Sequence, residues 1–209
     1  MELRVVGSGS KGNAYILHTD TGNLLIECGL PFPVIQKALD FDITSVQGCL
    51  LSHSHNDHSK CTKDVLKAGV DVYMTSNTAS AINADGHRVN IIEIGKQFDA
   101  GDFVVLPVEA QHDVPCVAFL ILYRPTGERI LFATDTFYLK NRFNKLDYLC
   151  IESNYCKDTL DKNIASGIIP REMKNRLLES HFSLEHVKEF LSANDLSKVK
   201  DHSFIAPFG

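Results

Sequence analysis

Tryptophan is absent from the 209 residues, and no apolar run approaches the length a membrane-spanning helix needs. No apolar signal segment follows Met1-Glu2-Leu3-Arg4, and none of the six cysteines (Cys28, Cys49, Cys61, Cys116, Cys150 and Cys156) belongs to a Cys-x-x-Cys pair. These absences predict no membrane partner and a cytoplasmic chain with buried, reduced thiols. A basic surplus is missing too: 21 Lys and Arg face 26 Asp and Glu, a net charge of −5. That argues against a broad basic coat for gripping duplex nucleic acid, although a local patch would not show in the total. There is no internal repeat, low-complexity tract or linker. With 44% hydrophobic and 22% charged residues, the expectation is one globular α/β domain over residues 1–209.

What is present is concentrated in Leu50-Leu51-Ser52-His53-Ser54-His55-Asn56-Asp57-His58. An apolar strand gives way to His-x-His-x-Asp-His, and no ordinary folding requirement asks for that. Imidazole and carboxylate are the donors that first-row divalent metals take at neutral pH. A loop leaving a strand can aim several of them at one centre. Cys61, close by, reads either as a further ligand or as a small buried filler, the better reading.

Around this stretch the pattern alternates. Leu3 to Val6, Ala14 to His18, Asn23 to Glu27, Gly48 to Ser52, Val70 to Met74, Val89 to Ile94, Phe103 to Glu109, Val117 to Tyr123, Ile130 to Ala133 and Tyr148 to Ile151 read as strands. Helices are expected over Pro33 to Leu39, Asp64 to Ala68, Thr78 to Asn83, Pro170 to Ser180 and Ser183 to Ala193, the last capped by Ser183. Gly7-Ser8-Gly9-Ser10-Lys11-Gly12-Asn13 is not a phosphate-binding Walker pattern; it reads as a wide hairpin turn or as a cradle for an anion.

Three later positions stand where strands yield to loops or between helices: His112, Asp135 and His181. Asp135, at the end of Ile130-Leu131-Phe132-Ala133-Thr134, suits a carboxylate bridging two metals. Taken with Leu25-Ile26-Glu27-Cys28-Gly29, Gln111-His112-Asp113-Val114-Pro115, Ala133-Thr134-Asp135-Thr136, Ile151-Glu152-Ser153-Asn154 and Ser180-His181-Phe182-Ser183, the chain resembles the metallo-β-lactamase-fold superfamily, and within it the YycJ/WalJ-like branch. The resemblance implies a four-layer αββα sandwich with the site at one edge of the sheets. It also implies metal-dependent phosphodiester hydrolysis, including exonuclease action on DNA. Carried over by position, His53, His55 and His112 would hold one metal, Asp57 and His58 another, and Asp135 would bridge them. Asp57 would orient the attacking water, and His181 would contact the scissile phosphate or assist the leaving group. Ser8, Ser10 and Asn13 would meet substrate, and Glu27 would brace a ligand His from behind. Two divalent ions are implied; His and Asp donors admit zinc, manganese or iron.

The superfamily's last ligand is a His at the end of one more apolar strand, but here the chain reads Asp201-His202-Ser203-Phe204-Ile205-Ala206-Pro207-Phe208-Gly209. His202 precedes the apolar residues instead of following them. One encoding of His202 to Gly209, read one base later, gives Ile-Val-Leu-Leu-His-Leu-Ser, the segment that the branch carries there. The expectation is therefore a frameshifted terminus, a sandwich lacking its last strand, a weak second metal site and reduced activity. The leading reading is a phosphodiesterase acting on DNA or RNA. Its rivals are a hydrolase of thioesters, lactams or cyclic phosphates on the same fold, and a catalytically weak metal-binding or regulatory protein.

Overall fold

Successive residues of a strand bury on opposite faces, so a strand covered on both sides reads as an unbroken apolar run. That is how most of this chain is built. In a computed structural model, which describes residues 1–153, 155–168, 170 and 182–205 (backbone alone at 157, 158 and 201–205), two six-stranded sheets pack face to face. The first holds β1 (Glu2–Gly7), β2 (Ala14–Thr19), β3 (Gly22–Ile26), β4 (Val46–Leu50), β5 (Val72–Thr75) and β6 (Val89–Ile92) in that spatial order. The second holds β7 (Phe98–Ala100), β8 (Phe103–Ala110), β9 (Cys116–Tyr123), β10 (Glu128–Ala133), β11 (Tyr148–Glu152) and β12 (Asp201–Ile205), again in chain order. Pairing is antiparallel over β1 to β3 and β7 to β10, and parallel from β3 to β6 and from β10 to β12.

The alternation sorts side chains into three cores. Tyr15 and Leu17 of β2, Leu24 and Ile26 of β3, and Ile130 and Phe132 of β10 meet between the sheets. Their neighbours Ile16 and Leu25 turn outward, onto α1 (Phe32–Ala38), α3 (Thr62–Lys67) and α4 (Ser76–Ile82). Leu131 and Ala133 face the other way, toward Val187 and Phe190 of α6 (Leu184–Ala193). The expected αββα sandwich is therefore present. Ser183 caps α6 as predicted, its hydroxyl accepting from the His186 N–H at 3.2 Å.

Three short elements escaped the sequence: α2 (Asn56–Ser59), β7 and α5 (Lys157–Ala165). α2 is one turn of poor helix formers, held by the His58 and Ser59 N–H groups on the His55 carbonyl, both at 3.0 Å. The expected helix over 170–180 lies outside the described residues apart from Pro170. One expectation is overturned. The sheet does not lack its last strand: Asp201–Ile205 forms β12, parallel to β11 with Leu149 opposite His202 and Ile151 opposite Phe204. Parallel pairing needs only extended backbone beside a free strand edge, and it does not require the family's own residues there. Among the described residues no helix is long and apolar enough to cross a membrane.

Candidate metal centre

Strand ends bring the donors together. β3 ends just before Glu27, β4 just before Leu51-Ser52-His53, β8 just before Gln111-His112, and β10 just before Thr134-Asp135. Two of these junctions carry left-handed backbone on residues other than glycine, Glu27 at φ 62° and Asp135 at φ 42°. Such conformations cost about 1–3 kcal/mol and persist where surrounding structure enforces them. Glu27 is enforced by its own N–H on the Leu50 carbonyl (2.9 Å) and by Cys28 N–H on the His58 carbonyl (2.8 Å). Gly29 lets the chain pass under α2: a Cβ there would overlap the Asp57 carbonyl.

The donors form two groups whose ligand atoms all lie within 4.8 Å of one another. One comprises His53, His55, His112 and Asp135; the other comprises Asp57, His58 and Asp135. Asp135 is common to both, its Oδ2 lying 3.0 Å from His58 Nε2, 3.7 Å from His53 Nε2 and 4.0 Å from His112 Nε2. His55 Nδ1 lies 3.1 Å from His53 Nε2 and 3.3 Å from His112 Nε2. Inward-facing imidazole nitrogens this close repel unless a proton or a cation stands among them. The His and carboxylate donor set fits a divalent ion at each group.

Electrostatics tune the two groups in opposite directions. Burial pushes His53 well below the ordinary imidazole range, and the neighbouring His58 adds to the shift, so His53 is neutral and offers a lone pair. Burial alone would lower His58 as well, but the Glu27 and Asp135 carboxylates outweigh it and hold His58 well above that range. The Glu27 carboxyl is itself raised by burial. Its Oε2 faces His58 Nδ1 at 3.5 Å, while Oε1 and His58 Nδ1 have no hydrogen-bond partner. A buried carboxylate against the outer nitrogen of a His is the arrangement expected of Glu27.

The other sequence-predicted positions divide. Asn13 does not point outward to substrate. It is 6% exposed, and its amide bonds Gly9 and the Asp57 carbonyl and lies 2.9 Å from His58 Nε2. The tight Gly9–Asn13 turn closes the loop onto α2, so the side chain is consumed internally. Ser8 accepts from the Tyr15 hydroxyl at 3.2 Å, and Ser10 is exposed. His181 lies outside the described residues. His202 stands level with Leu149 and Leu131 in the parallel register, four residues short of the level of Asp135, or about 13 Å along the strand direction. Cys61 is 3% exposed, packs among Cys28, Cys49 and Val65, and serves as filler.

Sequence reasoning missed three supporting residues. The Ser52 hydroxyl lies 2.8 Å from His53 Nδ1. The Thr136 hydroxyl donates to the Gln111 carbonyl (3.0 Å) and accepts from the Gln111 N–H (2.9 Å), tying the His112 loop to the Asp135 loop. Asp113 Oδ1 lies 3.0 Å from His112 Nε2 and 3.4 Å from His55 Nε2. Ser52 and Asp113 had one available signal, direct adjacency to a ligand His. Beside the first donor group opens a cleft of about 840 Å³, lined in part by Ser76, Asn77, Gln111, Asp113 and Phe137.

Comparison with known proteins agrees with this architecture. The chain is 27% identical over 198 residues to the exodeoxyribonuclease WalJ of Streptococcus pneumoniae serotype 2 (strain D39 / NCTC 7466), covering 87% of this chain and 72% of that protein. It is 26% identical over 191 residues to the exodeoxyribonuclease YycJ of Bacillus anthracis, covering 85% and 70%. Among solved structures, the metallo-beta-lactamase fold protein YhfI from Bacillus subtilis superposes with a TM-score of 0.65 at 17% identity, over 99% of this chain and 96% of that one. Residues 22–193 match the family described as the beta-lactamase superfamily domain, and the chain belongs to that family.

Proposed function

We propose that this protein is a divalent-metal-dependent phosphodiesterase that acts on nucleic acid, most closely as an exonuclease on DNA. The observation that carries the reading is the pair of donor groups joined at Asp135. Similarity to two exodeoxyribonucleases over most of the chain supports the substrate class. Divalent ions held there, zinc or manganese before iron, would neutralise charge on a phosphodiester and lower the pKa of water. His53, His55 and His112 would hold one ion, Asp57 and His58 the other, with Asp135 between them. Glu27, through His58 Nδ1, keeps the Nε2 edge of that ring turned toward Asp135. Asp57, whose side chain is one-third exposed, would accept a hydrogen bond from an attacking water. His181 is assigned to the scissile phosphate by its motif. The second group supplies only Asp57, His58 and the shared Asp135 among the described residues, so the second ion should be held more weakly. The six free thiols support a cytoplasmic setting.

The test is hydrolysis of single-stranded DNA and of bis-p-nitrophenyl phosphate, with a lactam as control, before and after chelation. We expect chelator-sensitive release of nucleotides from DNA, restored by zinc or manganese, and loss of at least about 100-fold in Asp57→Ala and Asp135→Ala. Hydrolysis of the lactam alone would overturn the substrate class. Activity unchanged by chelation and by Asp135→Ala would overturn the metal reading.

A further inference from the structure

Asp135 leads directly into Thr136-Phe137-Tyr138-Leu139-Lys140-Asn141-Arg142-Phe143-Asn144-Lys145-Leu146, a stretch with three cations and no acid in a chain of net charge −5. Its first residues are tied to the His112 loop. Phe137 N–H donates to the Gln111 carbonyl at 2.9 Å, and Gln111 N–H donates to the Tyr138 carbonyl at 3.3 Å. Further on, Leu139, Phe143 and Leu146 sink into the core that α6 covers. The residues between these anchors are left outside: Tyr138 is 48% exposed, the Lys140 side chain 59%, and Arg142 is exposed too. Phe137 lines the 840 Å³ cleft beside the first donor group, while Tyr138 and Arg142 line a second cleft of about 170 Å³ against α6. Two consecutive aromatic residues therefore border both clefts. One exposed ring is ordinary on a protein surface. Here it stands on backbone bonded to a donor loop and is followed by two outward cations.

Resting on the phosphodiesterase reading above, we propose that Phe137 and Tyr138 form a stacking platform for single-stranded nucleic acid, with Lys140 and Arg142 gripping the phosphates that lie beyond the site. Every base has a π face, so such a platform accepts any sequence; bases paired and stacked in a duplex cannot reach it. Charge divides the two roles. Glu93, Glu109 and Asp113 line the larger cleft and keep free phosphates off it, which leaves that space to a base against Phe137. The backbone is drawn instead to Lys140 and Arg142. Lys140 meets Glu109 at 3.2 Å, but both side chains are more than half exposed, and such a pair yields readily to a phosphate.

Fluorescence anisotropy of a labelled single-stranded oligothymidylate tests this, titrated with the full chain over a range of salt and under chelation so that no strand is cut. The single strand should bind more tightly than a duplex of the same length. Tyr138→Ala should weaken the single-strand complex about 5- to 100-fold, and Tyr138→Phe, which keeps the ring, should retain it. Lys140→Ala and Arg142→Ala should each reduce the slope of log affinity against log salt by about 0.7. Unchanged binding in Tyr138→Ala overturns the platform, as does an equal loss in Tyr138→Phe. A preference for duplex, or salt slopes untouched by both cation variants, overturns it too. If Tyr138→Ala fails to fold, the strand preference and the two salt slopes decide. A protein that binds the single strand through Tyr138 yet cuts no DNA once zinc or manganese is restored overturns the phosphodiesterase reading and leaves the platform standing.

Discussion

Glu27 and Asp135 occupy left-handed backbone that residues other than glycine adopt uncommonly, and both stand at the candidate metal centre. The chain bends sharply at these points, so that β3 and β10 each end by delivering one acid to a shared edge. Gly29 serves the same end by a different route, since its missing side chain is the space through which the Asp57 carbonyl passes. Gly29→Ala must push α2 away from Cys28-Gly29. We expect a loss of about 1–3 kcal/mol in urea unfolding, as overpacked sites show. Zinc affinity should fall with it, because Asp57 and His58 ride on the displaced turn. Stability and zinc binding both unchanged in Gly29→Ala would show that α2 does not depend on this close approach.

Among the elements, α6 is the clearest case of a local signal carried intact into the fold. Its stripe of Val187 and Phe190 packs against sheet β7–β12, and the buried Ser183 hydroxyl accepts the otherwise unpaired His186 N–H. Removing that acceptor leaves a helix-terminal donor without a partner. Ser183→Ala should cost about 1 kcal/mol, and Ser183→Gly only a few tenths by the same capping logic, both read as shifts in the urea midpoint. Equal losses in the two variants would assign the effect to packing of the buried serine. α2 is the opposite case. Its residues are weak helix formers, and it exists because the His55 carbonyl, Cys28 and Asn13 engage its backbone.

For the whole molecule, the joint between β10, β11 and β12 is tied by one carboxylate. Glu128 accepts from the Tyr148 hydroxyl at 2.9 Å, from Lys200 Nζ at 3.0 Å and from the Thr126 hydroxyl at 2.9 Å. Burial opposes ionisation, but these donors prevail and bring its pKa down to about 2 from the usual 4.5. A carboxyl lowered on folding adds stability that is present above its ordinary pKa and is lost as pH falls toward the folded value. The stability gap between the unaltered protein and Glu128→Gln should therefore be full at pH 6 and shrink between about pH 4.5 and pH 2. Added salt should narrow it too, because Lys200 is 55% exposed. A gap independent of pH over that range would remove Glu128 ionisation as its cause.

The candidate donor groups were legible in the sequence because His and Asp in His-x-His-x-Asp-His, and an acid closing an apolar strand, have no packing reason to be there. The strands of the sandwich were legible for a related reason: burial on both faces writes continuous apolar runs. Sequence alone thus determined the fold class and the donor types. Tertiary structure decided what depends on distant partners. It turned Asn13 inward against α2, because Gly9, Asp57 and His58 converge there from separate segments. It made β12 out of residues that carry no strand pattern of their own, because the edge of β11 offers a ladder. The register of that ladder leaves His202 about four residues below the site, a position that local pattern cannot encode. And it set Asp113 against His55, two residues that the chain holds far apart until the sheets close.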